Sequence, residues 1–204
     1  YIPAATVATV IEQCPDIRWK LIFGLARYAA LRCPSELAPL RWGDVDWDQR
    51  LLHVQSPKTA KAGKASRIVP ISPELYALLE QAYHDAEEGC ERIIPDVDAS
   101  SNLRTTAEKL IVRAGVTPWG KLFQNMRSSC ATDWADEFPQ HVATSWAGHT
   151  ASIAEKHYWH VGGEHFAKAT GRASADASEQ RVQNRVQTVH ETDCQSVPAI
   201  PADS

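Results

Sequence analysis

Apolar residues recur at three- and four-residue spacing along most of the chain, the pattern of helices that each bury one face. Ile17, Leu21, Ile22, Leu25 and Ala29 share such a face and predict a helix that ends near Ala30. Ser72, followed by Pro73 and Glu74, reads as the start of a second helix. A serine hydroxyl accepts from an orphan amide of the first turn, and the fixed φ of proline suits that turn. The stripe behind it is Leu75, Leu78, Leu79 and Ala82. Leu103, Ala107, Leu110, Ile111 and Ala114 form a third stripe, stopped by Gly115. Met126, Cys130 and Trp134 predict a fourth helix, and Pro139 opens a fifth that runs through Val142 and Trp146.

The period changes in one place. Leu51 to Gln55 and Ile68 to Ile71 read as two strands, joined by a loop from Ser56 to Arg67. Pro70 has no N–H to give to a further strand, which puts the second strand at an edge. The expected fold is therefore mainly α with a small antiparallel β-hairpin, an α+β domain. After Phe166 the chain has no Phe, Trp or Tyr, and from Arg172 onward Ala, Ser, Gln, Asp and Val dominate. Such a segment buries too little apolar area to offset its ordering, so residues 172–204 are expected to be a disordered tail behind a structured domain of residues 1–171.

Composition adds limits. Of the 204 residues 44% are hydrophobic and 23% charged, the balance of a soluble globular protein. No run of 18 apolar residues appears, so no membrane span is expected. The chain starts at Tyr1 with no basic stretch leading into an apolar one, which predicts no signal peptide, a cytoplasmic location and a fragment of a longer protein. Cys14, Cys33, Cys90, Cys130 and Cys194 are scattered without a CxxC pair. They read as reduced thiols, neither a disulfide framework nor a zinc cluster.

The net charge of −4 argues, taken whole, against nucleic acid as a partner. Its distribution is uneven. Between Gln49 and Pro73 there is no acid, while Arg50, Lys58, Lys61, Lys64 and Arg67 give +5. Six acids between His84 and Asp98 face Arg92 alone, and the tail carries a net −2. Taken alone, that basic run reads as a solvated face; it is the ordered set of motifs that follows which makes Lys61, Lys64 and Arg67 DNA-binding candidates.

Three stretches carry more polar chemistry than packing needs. The first runs Ala29-Ala30-Leu31-Arg32-Cys33-Pro34-Ser35-Glu36-Leu37 and on to Leu40-Arg41-Trp42-Gly43-Asp44-Val45-Asp46. The second is Gln124-Asn125-Met126-Arg127, and the third is Trp146-Ala147-Gly148-His149 with Tyr158 nine residues later. Together with Lys58, in this order, they resemble the catalytic domain of the tyrosine recombinase, or phage integrase, family over residues 1–166. That family pattern has an Arg after Gly/Ala-Leu and before Glu-Leu, a hairpin Lys, a His-x-x-Arg pair, a Leu-Gly-His and then a Tyr. Single pieces of it are common; the full ordered set is specific.

The resemblance implies a chemistry that the residue types suit. Tyr158 is the expected nucleophile, because a phenolate is a tolerable leaving group and makes a phosphodiester attack reversible. Arg32 and Arg127 are expected to hold the charge that builds on the attacked phosphate, a task fitted to a planar, permanently charged fork. Lys58 is implied as the general acid for the departing 5′-oxygen, and His149 as a donor to a phosphate oxygen. Glu36, four residues past Arg32 and expected on the same helical face, would hold that arginine. Gln124 stands where the family usually has His, and unlike imidazole it accepts no proton at neutral pH. Ala147 replaces the usual Leu before Gly-His, a change of packing.

The expected function is a site-specific DNA recombinase working through a 3′-phosphotyrosine with no metal or other cofactor. Its partners would be double-stranded DNA and three further copies, as a tetramer on DNA and a monomer without it, from a bacterium or phage. An N-terminal DNA-clasping domain is expected to be absent from this chain. The alternatives are a type IB topoisomerase, which uses a similar set, and a catalytically impaired DNA-binding protein, motivated by Gln124. Singly, each residue has an ordinary reading: surface arginines, a solvated Lys58, a helix-capping His149, a core-packing Tyr158. His157 and His160 have metal-ligand spacing but no third ligand after them.

Overall fold

The computed structural model describes residues 1–56 and 66–148. Helices α1 (Ala4–Glu12) and α2 (Ile17–Tyr28) lead into a long turn, and a 3-10 turn at Trp42–Asp44 follows. Strands β1 (Val45–Asp46), β2 (Leu51–Gln55) and β3 (Ser66–Pro70) make an antiparallel sheet in the order β1-β2-β3. Helices α3 (Pro73–His84), α4 (Arg104–Arg113), α5 (Leu122–Glu137) and α6 (Gln140–Ala147) complete the described chain. No helix among the described residues is long and apolar enough to cross a membrane.

Helix α2 is the axle. Its residues Leu21 to Arg27 are all buried, because α1, α3 and α5 pack around it. Asp16 starts it by accepting from the Trp19 amide at 2.8 Å. Gly24 lets α3 come close: a Cβ there would stand 2.8 Å from Leu78 Cδ1. The start of α3 is the expected one, with Ser72 Oγ accepting from the Leu75 amide at 3.4 Å. The short α1 escapes the periodic reading because only Val7, Val10 and Ile11 of its nine residues are buried.

The sheet explains which side of the hairpin faces inward. Leu52 pairs with Val69 and Val54 with Arg67, and all four lie on the buried face. Side chains alternate across a strand, so Ile68 points out and is 47% exposed. Strand β3 is the edge, as Pro70 predicts.

The stretch after α2 is where the structure departs most from expectation. Residues 33–39 form turns, not helix, with the Glu36 amide donating to Arg32 O at 2.8 Å and the Ala38 amide to Pro34 O at 3.0 Å. Ala30 takes a left-handed φ of 51° as α2 ends, a conformation that costs a non-glycine residue about 1–2 kcal/mol. Arg92, the lone base of the acidic stretch, braces this turn by donating to Ala38 O through Nε at 3.1 Å and Nη2 at 2.6 Å.

Candidate active site

The turn after α2, the inner face of the hairpin, α5 and the end of α6 converge on one carboxylate. Glu36 is 1% exposed and accepts from three sides. The Arg32 amide reaches Oε2 at 2.8 Å, and the Arg32 guanidinium reaches Oε1. Ser56 Oγ donates to Oε1 at 2.9 Å from the end of β2. Arg67 donates through Nη1 to Oε1 and through Nη2 to Oε2, each at 2.7 Å. Arg127 Nη1 stands 3.6 Å from Oε2. Glu36 thus does what the sequence assigns it for Arg32, and does so from a turn instead of a helical face.

Burial alone would push the Glu36 carboxyl up. The hydrogen bonds and charge of Arg67, the charge of Arg127 and the Arg32 amide outweigh it and hold the group at about 2. At neutral pH it therefore has no proton to give, and its role is charge and position.

The second anchor is the C-terminal end of α6. Gly148 closes that helix in the left-handed region, at φ 64°. Three successive carbonyls then each receive a different guanidinium: Trp146 O from Arg67 Nε at 2.8 Å, Ala147 O from Arg127 Nη2, and Gly148 O from Arg32 Nη2 at 3.3 Å. A helix leaves its last carbonyls without intrahelical partners and carries partial negative charge there. Cations suit that end. The left-handed Ala30 adds a fourth carbonyl, which accepts from both Arg127 Nη1 and Arg67 Nη2.

Among the described residues, three guanidiniums surround one carboxylate at this point. Arg32 is the most open of them, with its side chain 23% exposed against 6% for Arg127 and 5% for Arg67. Such an arrangement holds cations close together against their mutual repulsion and fixes the directions in which they point. It suits an oxyanion whose charge grows during reaction.

The structure brings Arg32, Arg127 and Glu36 together. Gln124 lies in the first turn of α5, exposed, while Arg127 one turn on is buried. Lys58, Lys61, Lys64, His149 and Tyr158 lie outside the described residues, as do His157, His160 and the tail. Arg67 corrects the sequence reading. Expected to face DNA, it turns inward because the β2–β3 register places it beside Val69 on the buried face. Ser56, 3% exposed, and the α6 carbonyls were not anticipated. Parity could have found Arg67: once Leu52 and Val69 are paired as core residues, position 67 must point the same way. Among the described residues, no group of three or more His, Cys, Asp or Glu could hold a metal ion.

The profile of the phage integrase family matches residues 4–165. No curated protein matches the chain significantly. Among solved structures, XerA recombinase superposes with a TM-score of 0.66 at 19% identity, covering 83% of this chain and 63% of that one. The Tn1549 transposon integrase in complex with transposon right end DNA gives 0.62 at 14%, covering 91% and 65%. Lambda integrase bound to DNA gives 0.57 at 16%, covering 74% and 56%. At these identities the likeness is one of fold, and the chain spans less than two thirds of the length of each of these three.

Proposed function

Because the chain belongs to the phage integrase family, we propose that it is the catalytic domain of a site-specific DNA recombinase. The observation that carries this reading is the cluster of Arg32, Arg67 and Arg127 around Glu36 and the end of α6, three guanidiniums gathered at one point among the described residues. A phosphodiester under attack gains charge on its non-bridging oxygens, and stabilising that charge is the main catalytic task. Arg32, the open guanidinium, meets those oxygens first, with Arg127 behind it.

In this reading the Tyr158 hydroxyl attacks phosphorus at the scissile position. The bond to the 5′-oxygen breaks, and that oxygen leaves as a hydroxyl with a proton from Lys58. The product is a 3′-phosphotyrosine, which keeps the energy of the phosphodiester, so no nucleotide is consumed and no metal is called for. His149 donates to a phosphate oxygen. Gln124 orients the phosphate or the tyrosine hydroxyl, and the tyrosine proton passes to water or to His149. Attack by another strand's 5′-hydroxyl reverses the step and joins the strands. Lys61 and Lys64 of the hairpin bind DNA beside the site. The structured domain is residues 1–171, four copies act together on DNA, and the affinity falls steeply with salt.

The test is a pool of nicked duplexes of randomised sequence, in which a short cut strand diffuses away and traps the adduct. We expect a covalent protein–DNA complex that resists denaturation and disappears in Tyr158→Phe. DNA binding without any adduct would replace this reading with that of an impaired DNA-binding protein, which the Gln124 departure favours. Relaxation of supercoiled DNA by the monomer, without site preference, would point to a topoisomerase.

A further inference from the structure

We propose that Arg67 is a positioning residue for strand cleavage: it holds Glu36 in place, and through Glu36 it sets the direction in which Arg32 and Arg127 face the scissile phosphate. The inference rests on the recombinase reading above and deepens it by assigning a role in the chemistry to a side chain that does not touch DNA.

Donor saturation is the first argument. A guanidinium carries five N–H groups, one on Nε and two on each terminal nitrogen. Arg67 meets five acceptors in that same distribution. Nε donates to Trp146 O at 2.8 Å, Nη1 to Glu36 Oε1 and Ser56 Oγ at 2.7 Å each, and Nη2 to Glu36 Oε2 at 2.7 Å and Ala30 O at 3.3 Å. With the side chain 5% exposed and every donor committed, nothing remains for a phosphate.

The acceptors form the second argument. They are the same groups that hold the other two arginines. Glu36 also takes the Arg32 guanidinium, Ala30 O also takes Arg127, and the carbonyls that follow Trp146 take Arg127 and Arg32. Arg67 therefore touches each anchor of the site: the turn carboxylate, the left-handed carbonyl and the end of α6. Ser56 closes the arrangement by donating to Glu36 Oε1 while accepting from Arg67, which pins the end of β2 as well. A lysine has three donors radiating from a single atom and cannot span these groups. Its ammonium would keep the charge and lose the alignment.

The experiment is single-turnover cleavage by the full chain of a nicked duplex recovered from the randomised pool. Wild type is compared with Arg67→Lys and with the milder Ser56→Ala, and thermal unfolding checks each variant. For Arg67→Lys we expect DNA affinity within about twofold of wild type, because no phosphate contact is lost. Cleavage should slow about a hundredfold, the scale of a small misplacement at a preorganised site. The distinguishing readout is the same duplex with a neutral methylphosphonate at the scissile position, whose lower charge asks less of the arginines. On it the deficit should shrink to about tenfold or less.

An equal deficit on both substrates overturns the proposal in favour of a merely structural role. So does wild-type cleavage by a folded Arg67→Lys, or affinity lost in step with rate, which would restore Arg67 as a phosphate contact. If Arg67→Lys does not fold, Ser56→Ala carries the same comparison, with a slowing of about tenfold that the methylphosphonate removes. An adduct with wild type keeps these outcomes separate from a failure of the recombinase reading, which would show as no adduct at all.

Discussion

Arg67 and Glu36 meet fork to fork inside the protein, Nη1 to Oε1 and Nη2 to Oε2, both at 2.7 Å. Two parallel bonds of this kind fix angle as well as distance. Taking both charges out of water is costly, and the further bonds from Ser56 and Arg32 are what make such a buried pair tolerable. The pair is therefore sensitive to the loss of either partner.

The first consequence is a pH dependence of stability. Glu36 titrates at about 2 in the folded protein, below its ordinary 4.5. Because the folded value is the lower one, its contribution is complete above the ordinary value and is lost as pH falls toward 2. Acid unfolding followed by circular dichroism should show wild type losing stability across that window. Glu36→Gln should show a clearly shallower slope there and lower stability at pH 7, by roughly 3–5 kcal/mol. Identical acid profiles for the two proteins would remove Glu36 from this account.

Arg32 and Arg127 should separate under mutation. Arg32 is partly open, and Arg32→Ala should leave a folded protein whose cleavage rate falls by about 10²–10³. Arg127 is 5% exposed and ties Ala30 O to Ala147 O, so Arg127→Ala should lower the thermal midpoint as well as the rate. Paired measurements of melting and adduct formation check both, and an Arg127→Ala protein as stable as wild type would contradict the bridging role.

Gly148 offers a test of how closely α6 approaches Arg67. Its φ is 64°, and an added Cβ would stand 3.0 Å from Arg67 Cδ. Gly148→Ala should cost about 1 kcal/mol in backbone strain and also slow cleavage, because Arg67 must shift. Gly115 is the control: at φ 73° with open space around it, Gly115→Ala should show the stability loss without the slower cleavage. Equal cleavage by the two variants would detach α6 from the arginines.

Gln124→His restores the side chain usual in the family at an exposed position, where stability should change by no more than about 0.5 kcal/mol. Cleavage should become faster at pH 8 and fall below about pH 6.5, as the new imidazole protonates. A flat pH profile at the wild-type rate would show that position 124 takes no part in proton transfer.

What the sequence made legible follows from period. The stripes of α2, α3 and α5 and the start at Ser72 are strong because each repeats over several turns or uses a specific cap. Helix α1 and the two-residue β1 offer too few apolar positions for a pattern to show. The turn at residues 33–39 has no period at all, and Glu36 reaches its arginines by backbone bonds that no spacing rule encodes. Arg32 and Arg127 were legible through family likeness. Arg67 is harder to place from sequence, because its charge suggests an outward face while Ile68 beside Val69 hides which of the two faces inward.

The hairpin root has a consequence for how such a protein can diversify. Ser56 and Arg67 fasten the end of β2 and the start of β3 to the same carboxylate, so the two strands cannot slip in register without breaking the arginine cluster. The sheet therefore works as a gauge: a one-residue slip of β3 would turn Arg67 to the outer face and leave Glu36 without its bidentate partner. Strand register and site geometry are thus inherited as one trait, and a chain in which either drifts loses both.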